Sequence, residues 1–144
     1  MHLQPETGFR ESYRIIGDTV IKVQDYTSGR HFEDAVSYAF YPVDLHTRTG
    51  VRPKPLKRGI VPTVPLSSLI PKGSKNIIVA GRCISSDRLA NSALRVQAAC
   101  MGMGQAAGAA AALAAQNKTT PSSVPLDKIH GLLREHNAIV PEKS

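Results

Sequence analysis

The sequence predicts a mixed α/β chain. Short β-branched runs fill its first third, an apolar run closes on glycine at Asn76–Gly81, and a long Ala-rich segment follows from Ala93 to Gln116. Short apolar or β-branched runs bounded by turn residues suit strands, whereas Ala has the highest helix propensity.

Taken in order, Tyr13–Gly17 and Thr19–Val23 read as strands around a Gly17-Asp18 turn. Phe32–Phe40 fits a short helix or a strand equally well. Tyr41–His46 reads as extended, because Pro42 restricts the residue before it to β-like angles. Six of the ten prolines fall between Pro42 and Pro71, which excludes a regular helix over Thr47–Pro71 and leaves a basic loop with a short strand at Thr63–Leu66. Asn76–Gly81 reads as a strand buried on both faces, and Arg82–Asn91 as a polar loop. A long helix is expected from about Ala93 to Gln116, with Asn91 or Ser92 as its N-cap. Gly102, Gly104 and Gly108 each weaken that helix by up to about 1 kcal/mol relative to Ala, which makes sense where another backbone packs closely. After Pro125, Leu126–His136 carries Leu126, Ile129, Leu132 and Leu133 at the spacing of one apolar helix stripe.

A length of 144 residues fits one domain or a large fragment of one. With 5% aromatics and no Trp, the core must rest on Ala, Val, Ile and Leu. The net charge is +7, and Leu45 to Ser86 contains no Asp or Glu but holds Arg48, Arg52, Lys54, Lys57, Arg58, Lys72, Lys75 and Arg82. A surface of one sign attracts anions, whether nucleic acid, a dinucleotide or a carboxylate; a solvated basic loop is the plainer reading. Cys83 and Cys100 belong to no CxxC or Cys/His cluster, so no metal site is expected. They read as buried free thiols in a reducing, cytoplasmic compartment, and no secretory signal opens the chain. Val96–Gln116 is uncharged and long enough to span a bilayer. Its Ala, Gly and Gln content gives a weak apolar drive, so a helix inside a soluble protein is expected and no membrane partner.

The segment from Asn76 to Gln116 is a strand, a Gly turn, a polar loop and a helix N-terminus. In α/β folds such units place ligands at the C-terminal sheet edge, where helix N–H groups favour negative charge. The run NIIVAGRCISSDRLANSALRVQAACMGMGQAAGAAAALA resembles the C-terminal motif of a family of FAD-dependent oxidoreductases related to fumarate reductase and succinate dehydrogenase flavoproteins. Gly81, Arg82, Ser85, Ser92, Arg95, Gly104, Gln105 and Gly108 match its pattern. FRESYRIIGDTVI and YPVDLH resemble family segments upstream, in the same order, so the resemblance covers about residues 8 to 116.

The resemblance implies the C-terminal part of an FAD/NAD(P)-binding Rossmann-like fold, with FAD as cofactor. Residues 1–70 would be a substrate-side β region with a Pro-rich basic loop, 71–118 the last strand and flavin-facing helix, and 119–144 a linker and terminal helix. Gly81, Arg82 and Ser85 would approach the ribityl and phosphate part of FAD, and Ser92, Ala93, Leu94, Arg95 and Val96 the flavin ring. Arg10, Glu11, Asp44 and His46 would lie on the substrate side, with Arg10 and His46 as catalytic candidates that bind a small organic substrate such as a carboxylate, or move a proton. The chain has no G-x-G-x-x-G turn after a strand to cradle the pyrophosphate. It is therefore expected to be a fragment that needs a Gly-rich N-terminal half, holds little FAD alone, and exposes sheet edges through which it could dimerise. Two alternatives stand beside this: a small basic module for nucleic acid or another anion, and a non-catalytic subunit completing a partner's flavin site.

Overall fold

A computed structural model describes residues 11–47, 49–51 and 53–142. Helices and short antiparallel strands share one core, so the chain is mixed α/β. The element order is α1 (Val23–Ser28), β1 (Ala35–Tyr38), β2 (His46–Thr47), β3 (Gly50–Val51), β4 (Thr63–Pro65), α2 (Arg88–Leu94), α3 (Gln97–Gln116) and α4 (Leu126–Glu135). Short 3-10 turns at Leu66–Ser68, Gly81–Cys83 and Pro121–Ser123 join them.

β1 pairs antiparallel with β4, and the register slips by one residue between Ala35 and Ser37. Both strands are almost wholly buried; α3 packs across β1, and α4 packs on α3 and β1. Val36, Val64, Leu69, Ile84, Leu94, Met103 and Ile129 form the centre of the core. α3 contributes Ala99, Met103, Ala106, Ala110 and Ala114, spaced as one stripe of a 3.6-residue helix. Its approach to β1 is close: a Cβ on Gly102 would sit 3.4 Å from Ser37 Cβ. α4 buries Ile129 and Leu133 from the expected stripe. It also buries His130, whose Nε2 donates to the Ala35 carbonyl at 2.8 Å and ties the helix to β1.

The first third departs from the expected hairpin. Tyr13–Gly17 and Thr19–Val23 run extended only in part, held by single bridges from Gly17 to Pro71 and from Ile21 to Ser86. The last residue of that run enters α1, a helix that no apolar periodicity announces. α1 exists because its first N–H groups find acceptors. Asp25 accepts from Lys22 N–H at 3.0 Å, and Asp87, 64 residues away, accepts from Val23 N–H at 2.7 Å. The other oxygen of Asp87 caps α2 by accepting from Ala90 N–H at 2.7 Å. One carboxylate therefore satisfies the open ends of two helices.

Two further differences concern the C-terminal half. Asn76–Ala80 is not a strand with neighbours on both sides: it is extended at Ala80, and Ile77 is 57% exposed. No described strand lies beside it to make a ladder. The expected single helix from Ala93 is two helices. α2 starts at Arg88 with Asp87 as N-cap, and one extended residue, Val96 (φ −72°, ψ 154°), separates it from α3. Asn91 and Ser92 lie inside α2 rather than at an N-cap.

Replacing Asp87 by Ala should remove both caps. At about 1 kcal/mol per cap, with a charged acceptor at the upper end, the loss is about 2–3 kcal/mol in a urea unfolding curve. Asp87→Asn, with one acceptor oxygen, should lose about half of that. An unchanged midpoint in Asp87→Ala would show that the shared cap contributes nothing.

Candidate functional site

The site is built on the extended run from Tyr41 to Thr47, whose side chains alternate between two faces. Val43, Leu45 and Thr47 line an open cleft of about 460 Å³ together with Val23, Thr27, Lys54 and Leu89. Asp44 and His46 are absent from that lining. This cleft and the ionisable pair thus lie on opposite sides of one strand-like segment.

Two helices hold this run. Tyr26 of α1 is 1% exposed, and its hydroxyl donates to the Tyr41 carbonyl at 2.8 Å and accepts from Tyr41 N–H at 3.0 Å. Burial pushes the Tyr26 hydroxyl up to about 12 against the opposing effect of its bond to Tyr41. From α2, Ser92 Oγ donates to the Leu89 carbonyl at 2.6 Å, which turns its lone pairs toward Asp44 N–H at 3.0 Å. Arg95 Nη2 donates to the Asp44 carbonyl at 3.2 Å. The Asp44 backbone is thus gripped on both sides, and its carboxylate meets His46 Nε2 at 3.3 Å. An imidazole paired with a carboxylate is a unit that takes up and releases a proton.

Beside this cluster, the break at Val96 opens a fresh helix N-terminus. α3 begins at Gln97, and its first-turn residues Gln97 and Ala98 are exposed. The first N–H groups of a helix lack partners within it and favour negative charge. Gly81 (φ +84°) opens the turn that packs on this end, with its Cβ position 3.7 Å from Cys100 Sγ. Burial raises the Cys100 thiol, Arg82 opposes that rise, and Cys83 adds to it, so Arg82 sits within electrostatic reach of the first turn of α3. Arg82, in the turn that packs on α3, and Arg95, just before the break, thus lie on the two segments that meet this helix N-terminus.

Of the residues singled out in the sequence, Asp44, His46, Ser92 and Arg95 come together directly, and Gly81, Arg82 and Val96 border the same helix end. Ala93 and Leu94 have no exposed side-chain surface and sit in the core of α2. Ser85 is 1% exposed; its N–H donates to Ser68 and its carbonyl accepts from Ile21, while its hydroxyl finds no partner among the described residues. Arg10 lies outside the described residues. Glu11 pairs with Arg14 at 3.1 Å and with Arg88 at 3.2 Å, so it braces α2 rather than facing His46. Tyr26 and Asp87 do most of the positioning, and neither was singled out. The only sequence signal for Asp87 was a carboxylate three residues before Ala90, at capping distance.

A family model described as FAD dependent oxidoreductase matches residues 1–133 of this chain, and the chain belongs to that family. No curated protein and no solved structure matches it.

Tyr26→Phe should leave the N–H and carbonyl of Tyr41 unpaired, at a cost of about 1–3 kcal/mol. The raised hydroxyl adds a pH signature. A tyrosine that keeps its proton longer in the folded state contributes stability in full below the ordinary value near 10, and loses it as pH rises toward 12. The gap between wild type and Tyr26→Phe in urea midpoint should therefore narrow between about pH 10 and pH 12. A gap that is constant with pH would mean that Tyr26 is not held in this way.

Proposed function

We propose that this FAD-dependent oxidoreductase chain is a C-terminal fragment that closes the flavin-ring end of the site and supplies the substrate-side wall for hydride transfer. The observation that carries the reading is the meeting of Asp44 and His46 with Ser92 and Arg95 at the break before α3. The residues present fit one end of the cofactor. The exposed first turn of α3, with Arg82 and Arg95 on the segments that meet it, suits the electron-rich edge of a flavin ring. They do not fit its pyrophosphate, because the sequence has no Gly-rich turn between a strand and a helix.

When bound, FAD accepts or donates the hydride, and the protein's part is to position and polarise. Within that division, the N–H groups of α3 and the two arginines stabilise negative charge on the ring edge. Arg95 does a second task by holding the Asp44 carbonyl, so the cofactor end and the proton-handling pair share one support. Asp44 orients His46, and His46 holds or gives a proton beside the substrate. Arg10, outside the described residues, is the second candidate for binding a small carboxylate. The pyrophosphate cradle then comes from a Gly-rich half, on the same gene or on a partner subunit, in a cytoplasmic setting.

An FAD titration followed by flavin fluorescence tests this. The chain alone should bind weakly, and a mixture with the Gly-rich half of a full-length family member should bind tightly. Arg95→Ala or Arg82→Ala should weaken the mixture about tenfold, or about 1.4 kcal/mol. His46→Gln should leave FAD affinity unchanged and slow flavin reduction by 10²-fold or more, on the order expected for a lost acid or base. FAD affinity indifferent to both arginines, or salt-dependent nucleic-acid binding with no flavin bound under any condition, would contradict the reading.

A further inference from the structure

The cleft behind the Asp44–His46 pair is built by a hairpin and two helices. β2 and β3 pair antiparallel, His46 with Val51 and Thr47 with Gly50, and the bridge from Val43 to Lys54 continues the same register. Val43 N–H donates to the Lys54 carbonyl at 3.0 Å, and Lys54 N–H donates to the Val43 carbonyl at 2.9 Å. Directly opposed residues of an antiparallel pair point to one face. Lys54 therefore leaves the hairpin on the face of Val43 and Leu45, away from Asp44 and His46. Across from that face stand Val23 and Thr27 of α1 and Leu89 of α2, around a space of about 460 Å³. Small-molecule sites occupy roughly 300–1,000 Å³.

The polar inventory of this cleft reduces to one group. Thr27 Oγ1 donates to the Val23 carbonyl at 2.8 Å, and Thr47 Oγ1 donates to the Gly50 carbonyl at 2.8 Å. Thr49 Oγ1 lies 3.0 Å from Thr47 Oγ1 and must be the donor there, because the proton of Thr47 is already placed. All three hydroxyl protons are thus engaged. Lys54 is the one charged side chain among the described lining residues. It is exposed, and its ammonium makes no ion pair or hydrogen bond among the described residues. The carboxylates of the surrounding elements have partners of their own. Asp25 pairs with Arg30, Asp44 with His46, and Asp87 with the ends of α1 and α2. Nothing acidic competes for Lys54 from the hairpin onward, since Leu45 to Ser86 contains no Asp or Glu.

A trough floored by buried Val43, walled by Leu45 and Leu89 and carrying one unpaired ammonium matches an amphipathic anion. The tail would cover the apolar wall and the head would meet Lys54. An ammonium is a compact single charge, which suits one carboxylate; a phosphate dianion calls for more donors than this cleft holds. We infer that the cleft between the hairpin and α1–α2 is a binding site for a monocarboxylate with an apolar tail. It is separate from the Asp44–His46 face and does not rest on the flavin reading.

Octanoate, octanol and octylamine share a tail and differ in the head, so the three together test the site. Each is titrated into the full chain and followed by the methyl chemical shifts of Val23, Val43, Leu45 and Leu89. Octanoate should shift these methyls to saturation and bind at least tenfold more tightly than octylamine, which Lys54 repels. Lys54→Gln, at an exposed position, should weaken octanoate about fivefold, the upper end for an exposed ion pair, and leave octanol unchanged. Lys54→Glu should reverse the order, so that octylamine binds more tightly than octanoate. Equal affinity for the three heads, or octanoate binding indifferent to both Lys54 variants, would reduce the cleft to an apolar patch and overturn the inference. Shifts confined to methyls elsewhere in the chain overturn it as well. So does displacement of octanoate by the Gly-rich half of a full-length family member, which would assign the cleft to contact between the two halves.

Discussion

One carboxylate, that of Asp87, joins the ends of two helices. Asp87 accepts the N–H of Val23 through one oxygen and the N–H of Ala90 through the other, and its own N–H donates to the Ile21 carbonyl. α1 has six residues and α2 seven, well below the length at which a helix stands alone in water. Each exists because its end is satisfied from elsewhere, and the same group satisfies both. The 64-position separation of Val23 and Asp87 spans the whole Pro-rich basic stretch, so the shared cap also closes that excursion.

The functional geometry follows from that closure. α1 reaches the candidate site through Tyr26, which fixes Tyr41 by two hydrogen bonds; α2 reaches it through Ser92 and Arg95, which fix Asp44. Between these anchors the run from Tyr41 to His46 cannot slide, and its period of two sends Asp44 and His46 to one side and Val43 and Leu45 to the other. Arg95 joins the Tyr41–His46 run to the helix end because the chain straightens at Val96 instead of continuing as one helix. A continuous helix from Arg88 would have paired those N–H groups internally and left nothing to face an anion.

Much of this was legible in the residues. α4 and β4 fall where apolar spacing and the Thr63–Leu66 run put them, and the order of the YPVDLH and S-x-R-V segments pointed to the family. The pairing of Asp44 and His46 with Ser92 and Arg95 was legible only as two separate motifs, because nothing local says that residues 48 apart will touch. α1 was missed because VQDYTS has neither apolar periodicity nor a preferred N-cap; its acceptor is tertiary. The break before α3 was missed because Arg95 and Val96 are not helix breakers, and the turn is stabilised by the bond from Arg95 to Asp44. The apolar run at Ile77–Ala80 promised a strand; Val79 N–H donates to the Leu69 carbonyl, but the run joins no ladder among the described residues.

The bracket formed by α1 and α2 can be examined through individual amides. Hydrogen exchange would be followed in wild type and in Asp87→Ala at Tyr41 N–H, bonded to Tyr26, at Asp44 N–H, bonded to Ser92, and at Ala39 N–H, bonded to Pro62. The account predicts that Tyr41 and Asp44 lose protection together although neither touches Asp87, while Ala39 in the β1–β4 layer keeps most of its own. Loss confined to Val23 and Ala90, with Tyr41 and Asp44 as protected as before, would contradict it: the caps would then be local features, and the candidate site would be held by something else.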